Sequence, residues 1–271
     1  MKRVTLVLAA HSLSRIRVMV FALGLLLAAF QFLLTQVAQF LLRRSAFGQL
    51  SAMMPDFVRS AAGPSALAFM SFGGIVGFGY FHPIVLAALV SLGIAIATEP
   101  SAEVEGRFVD LTLARPLTRS NLMTRTVIVF VVSSTFVLGA MLAGTWIGLT
   151  CCTPADAPRP PARLILSLAA NLAALMVCWS GVALALAASA RRRAVAGSAA
   201  GTAALAAYLL DYLGRAWEPA RGVSVVSPFH YFEPAALVGG QPLGAWNMIV
   251  LVGTGVLATV IAYVVFSQRD I

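Results

Sequence analysis

The chain has 271 residues, 60% of them hydrophobic and 11% charged, with a formal net charge of +9. Soluble domains carry roughly 45–50% apolar and about 25% charged residues, so a water-soluble globular fold is excluded and the chain reads as an all-α integral membrane protein. The positive charge is Arg scattered between apolar windows, with Lys2 the only lysine. That is the pattern of topology-setting residues, not of a nucleic-acid surface.

Residues 1–16 open with Met-Lys-Arg and a short apolar run. His11, Arg15 and Arg17 follow where a signal peptide would need its cleavage site. Val4, Val7, Leu8 and His11 fall at i, i+3, i+4, i+7, which fits a short helix lying along the membrane surface; a frayed terminus fits these residues equally. A helix needs about 20 apolar residues to cross the hydrocarbon core, and charge-free windows place six such spans. They fall at about 18–42, 80–98, 122–149, 164–190, 194–213 and 246–267. The window before Glu99 is too long for one straight helix. Pro64, Gly73, Gly74, Gly77, Gly79 and Pro83 crowd its first half, so residues 65–79 are expected to form a broken or re-entrant element. Residues 43–79 and 214–245 then form outer segments. Twelve of the 19 Lys and Arg residues lie in the segments on the N-terminal side of the membrane and seven on the other. This bias puts both termini in the cytoplasm.

Residues 99–119 form the cytoplasmic loop between the second and third spans. In and just after it, eight charges gather: Glu99, Glu103, Glu105, Arg107, Asp110, Arg115, Arg119 and Arg125. Pro100 suits a first helical turn, where its missing N–H costs nothing. Glu99, Glu103 and Arg107 are spaced i, i+4, i+8 with the acids N-terminal to the base, the better order for pairing along a helix. Val104, Phe108 and Leu111 share one face. Acids at the start and Arg115 at the end suit the helix dipole. Only Gly106 interrupts the pattern before Pro116, and Thr118 or Ser120 can cap the next helix. The spacing predicts a short amphipathic helix. A solvated topology loop and a docking element for a cytoplasmic partner both fit it.

Several of these residues carry a resemblance. Glu105-Gly106, then Leu111 and Leu113, then Pro116-Leu117-Thr118-Arg119 resemble the first cytoplasmic loop of the permease subunits of type-2 ATP-binding-cassette exporters. Ser227-Pro228-Phe229-His230-Tyr231-Phe232 is similar to that family's segment before the last span, and Phe266-Ser267-Gln268-Arg269-Asp270 to its ending. Arg107 and Arg125 depart from the usual Thr and Lys. The resemblance implies a six-helix permease in a bacterial inner membrane that moves a substrate outward. It implies a second permease copy, as a homodimer, and separate ABC ATPase subunits that bind the ATP and Mg. This chain would bind no cofactor of its own. The coupling element would comprise Glu103, Val104, Glu105, Gly106, Arg107, Phe108, Leu111, Arg115, Pro116 and Arg119. An alternative within the family is a permease for metalloenzyme maturation or energy transmission.

Other signals are weaker. Leu237-Val238-Gly239-Gly240-Gln241 is similar to the ATPase signature, but its Ser is absent and no Walker A accompanies it. It is expected to be a turn before the last span. Cys151-Cys152 and Cys178 fit neither a disulfide framework nor a zinc spacing. Gln31, Asn171 and Asp211 are candidate pathway-lining residues; helix glue and, for Asp211, a membrane boundary are the plainer readings. Gly73/Gly77, Gly144/Gly148 and Gly197/Gly201 permit close helix contact, as a dimer seam would need. No His-Glu-x-x-His and no paired intramembrane carboxylates favour a membrane-embedded enzyme. The scarcity of intramembrane charge disfavours a secondary transporter.

Overall fold

The computed structural model describes residues 2–43, 71–106, 118–152 and 159–268, which are helical apart from short connections. Among the described residues six helical segments are long and apolar enough to cross a membrane, making the chain a multi-pass membrane protein. Large apolar side chains such as Leu25, Ile84, Val131, Leu205 and Ile249 point outward, mostly more than half exposed. In water such a surface would be an aggregation patch; against lipid tails it costs nothing.

Helix α1 runs without interruption over Lys2–Arg43. At 1.5 Å per residue it is about 63 Å long, twice the hydrocarbon thickness. The expected separation of a surface helix from the first span is therefore not seen. The polar stretch from His11 to Arg17 contains no Pro or Gly, and a helix needs no apolar residues to continue. Nor is the expected apolar face turned inward: Val7 is exposed, whereas Thr5 and Ala9 are buried.

The second crossing is built in two pieces, α2 (Phe72–Phe78) and α3 (Pro83–Ala97). Its break lies at 79–82 and falls later than expected. Pro83 cannot donate a backbone hydrogen bond, and it forces the residue before it out of the helical region. His82 accordingly sits at ψ 130°, and its Nδ1 accepts from the N–H of Ile84 at 3.2 Å. Helix α3 alone is about 22 Å long, so α2 is needed to complete a crossing. A single residue, Thr98, separates α3 from the short α4 (Glu99–Glu105), which ends at Gly106.

Then follow α5 (Arg119–Cys152), α6 (Ala162–Ser189) and α7 (Arg193–Ala216). The connection to the last span contains two 3₁₀ turns, Glu218–Ala220 and Pro228–Tyr231, with α8 (Arg221–Ser224) and α9 (Pro234–Val238). Helix α10 covers Ala245–Gln268. The Leu237–Gln241 segment is the C-terminal cap of α9. Gly240 adopts φ +88°, and the N–H of Gln241 reaches back to the carbonyl of Ala236 at 2.9 Å. Only Gly takes that backbone conformation without strain.

Helix α6 is the most buried and forms the centre, with α3, α7 and α10 packed on it, while α1 lies along α5. Glycines set the two closest approaches. A Cβ at Gly144 would meet the backbone of Ala28, and one at Gly181 would meet the backbone of Gly255. Gly148 likewise faces Thr35, and Gly77 faces Leu168 and Val238. The Gly144/Gly148 pair is thus used inside the chain and is not left free as a dimer seam. At Gly197 and Gly201 a Cβ would meet nothing within 4 Å.

Candidate functional site

Four helix ends converge where α3 passes into α4. Ser101, fully buried, donates its hydroxyl to the carbonyl of Ala187 near the end of α6, at 2.9 Å. Glu103 forms an ion pair with Arg125 on α5, with side-chain exposures of only 18% and 6%. Glu105 accepts from the backbone N–H of Arg193, the first residue of α7, at 2.9 Å. That N–H has no partner within its own helix, and a carboxylate there also faces the positive end of the helix dipole. The Arg193 side chain turns back to the end of α3. One nitrogen donates to the carbonyl of Ala95 at 3.0 Å and another lies 3.9 Å from Glu99.

The short helix is therefore fastened to α6, α5 and α7 by three side chains, Ser101, Glu103 and Glu105. Arg107, the base expected to pair with Glu103 at i, i+4, lies outside the described residues. Each acid looks across to another helix because α4 lies over their ends. Val104 packs with Leu122, Met123, Leu184 and Phe266 in a cluster at this end of the bundle. Glu105 and Gly106 are the exposed tip. Arg119 begins α5 and donates to the carbonyl of Ser267 near the end of α10, at 3.2 Å. Thr124 and Tyr263 share a hydroxyl contact of 2.9 Å one turn further in. The remaining residues of the expected coupling element, Arg107, Phe108, Leu111, Arg115 and Pro116, lie outside the described residues.

The three candidate pathway residues sit apart. Gln31 is fully buried on α1, and neither amide atom has a hydrogen-bond partner. It presses on the backbone at the α2–α3 break, where a Cβ on Gly79 would stand 2.5 Å from its amide nitrogen. Beside it Tyr80, also fully buried, shares a hydroxyl contact of 2.9 Å with Thr145 of α5. Asn171 is buried on α6 with its Oδ1 unpartnered. Asp211, five residues before the end of α7, is 6% exposed. Its Oδ2 accepts from Arg215 Nε at 2.9 Å, and its Oδ1 has no hydrogen bond.

Sequence reasoning missed Ser101, Arg193 and the Gly181–Gly255 contact. Arg193 was legible only as part of an Arg triplet that fixes topology. Its role as the hub of three acceptors depends on α7 starting beside α4, which no local pattern encodes. Comparison with protein families, with characterised proteins and with solved structures finds no match for this chain.

Proposed function

We propose that this chain is the membrane-spanning permease subunit of a transporter driven by a separate ATPase, with residues 99–119 as the coupling element. In this reading two copies form the pathway, both termini are cytoplasmic, and ATP and Mg bind to the partner alone. The observation that carries the reading is the fastening of α4. A force applied at its exposed tip passes to α5 through Glu103–Arg125 and to α7 through Glu105 and Arg193. It reaches α6 through Ser101. The acids serve here as clamps that hold the lever to the spans, and the docking surface is the tip and the residues after it.

The broken second crossing supports the same reading. Helix α4 continues α3 through one residue, so displacement of α4 bears on the α2–α3 break where Tyr80 and Gln31 are buried. Rigid-body movement of packed helices about such a break is an ordinary way to switch between two arrangements.

The test is reconstitution of the purified chain with the ATPase subunit that co-purifies with it. Wild-type chain is expected to stimulate ATP hydrolysis, and Arg125→Gln and Ser101→Ala to uncouple hydrolysis from movement of α5 and α6. A folded chain with which no ATPase associates, or variants that transmit motion normally within the reconstituted complex, would overturn the proposal.

A further inference from the structure

Gln31 lies inside the first span. Among the described residues it is the only side-chain amide with both polar atoms buried and unpartnered. A primary amide offers two donors and an acceptor oxygen with two lone pairs, and hydrocarbon supplies no water to satisfy them. The amide abuts the break between α2 and α3. A Cβ on Gly79 would stand 2.5 Å from Gln31 Nε2 and 2.6 Å from its Oε1, so only a glycine at 79 leaves the amide in place. Gly79 itself has an ordinary right-handed backbone, φ −63° and ψ −23°. The glycine therefore serves this close approach and not a turn.

The break supplies complementary groups. In an unbroken helix the carbonyl of Gly79 would accept from residue 83, but Pro83 has no N–H. The carbonyl of Tyr80 would accept from Ile84, but that N–H donates to His82 Nδ1 at 3.2 Å. The His82 ring is bracketed by Phe78 and Phe30, with centroids at 5.0 Å and 5.5 Å, which keeps it in its capping position. Among the described residues no other backbone donor reaches either carbonyl, and both Gly79 and Tyr80 are buried. Two unpaired acceptors thus lie one residue apart beside an amide with two unpaired N–H groups. Buried donors and acceptors held apart cost free energy that their pairing would recover. In this arrangement the break is tied instead to α5, through the 2.9 Å contact of the Tyr80 hydroxyl with Thr145.

We infer that the α2–α3 break is a two-position hinge with Gln31 as its latch: in the second position the Gln31 amide donates to the freed carbonyl of Gly79 or Tyr80. The arrangement described above is the unlatched one, held by Tyr80 and Thr145. Helix α3 is packed on the central α6, so latching turns α2 relative to α3 and draws the break toward α1. Pro83 frees one acceptor, His82 frees the other, and Gly79 admits the amide. The hinge requires only this chain and is independent of ATPase coupling.

The test is NMR on the purified full-length protein in lipid nanodiscs, isotope-labelled at Gln, Gly and Tyr, with no ATPase present. Two positions are expected at the Gln31 side-chain amide and at the Gly79 and Tyr80 backbone, seen as relaxation dispersion on the microsecond-to-millisecond scale or as paired signals. Gln31→Met keeps an unbranched side chain of similar length and removes the amide. It is expected to abolish the second position while signals from α6 stay unchanged, which shows that the bundle is folded. Tyr80→Phe removes the tie to Thr145 and is expected to shift the population toward the latched position about fivefold, the worth of one ordinary hydrogen bond. A single Gln31 position satisfied by a long-lived water would overturn the latch. So would a second position at Gly79 and Tyr80 that persists in Gln31→Met, or populations left unchanged in Tyr80→Phe.

Discussion

The two ends of the bundle each hold a carboxylate–arginine pair, and the pairs differ in what they connect. Glu103 and Arg125 join two helices and are both withdrawn from solvent. Asp211 and Arg215 lie one turn apart on the same helix, with the arginine half exposed. A pair between helices fixes their relative position, and removing one partner strands the other in a medium that cannot solvate it. A pair within one helix adds a few tenths of a kcal/mol to a helix that would form anyway. The first end is therefore constructed as a joint, and the second as a pair local to one helix, with His230 Nδ1 3.9 Å from the other carboxylate oxygen.

Stability measurements can break or sharpen that contrast. Arg125→Ala leaves Glu103 buried without its cation and is expected to cost about 3–5 kcal/mol, read as a large fall in the thermal midpoint of the detergent-solubilised protein. Glu103→Gln/Arg125→Met should recover most of that loss; no recovery would mean that Arg125 acts through other contacts. Gly181→Leu drives a side chain into the Gly255 backbone and is expected to cost at least about 1–3 kcal/mol. Gly201→Ala meets nothing and should be neutral or raise helix stability by up to about 1 kcal/mol.

Ser101→Ala removes one buried hydrogen bond from α4 to the end of α6, an expected loss of about 1 kcal/mol. Hydrogen exchange at 99–106 should rise while the rest of the bundle stays protected. Arg215→Gln leaves the Asp211 side chain, 9% exposed, without its cation, but is expected to cost less than Arg125→Ala because the Gln amide can still donate to the carboxylate from the same helix. A loss at Arg215 as large as that at Arg125 would erase the distinction between joint and local pair.

Much of the fold was legible because a bilayer imposes length and polarity on each span. The apolar windows gave six spans, and Pro83 with the neighbouring glycines gave an irregular stretch, expected before the second span at 65–79 and instead falling inside it at 79–82. The exact site of that break was not legible, because it depends on where His82 can cap α3 after Pro83 bars the helix. The continuity of α1 was missed because polarity at residues 11–17 was read as an end, although polar side chains do not stop a helix. At the candidate site the pattern revealed a short charged helix but not its partners. Glu103 meets a residue 22 positions away and Glu105 one 88 positions away. Such pairings arise from how helices pack, and periodicity within one helix carries no record of them. Gly144 shows the same limit: its small size was visible, while its use against Ala28 within the chain was not.

The central claim is that the α4 tip is pressed by an ATP-driven partner. The most direct measurement is photo-crosslinking from the tip itself, with Gly106→benzoylphenylalanine in the full-length chain irradiated in its native membrane. The expected result is an adduct with a nucleotide-hydrolysing subunit whose yield changes when ATP is added. Adducts with lipid or with this chain alone, unchanged by nucleotide, would contradict it.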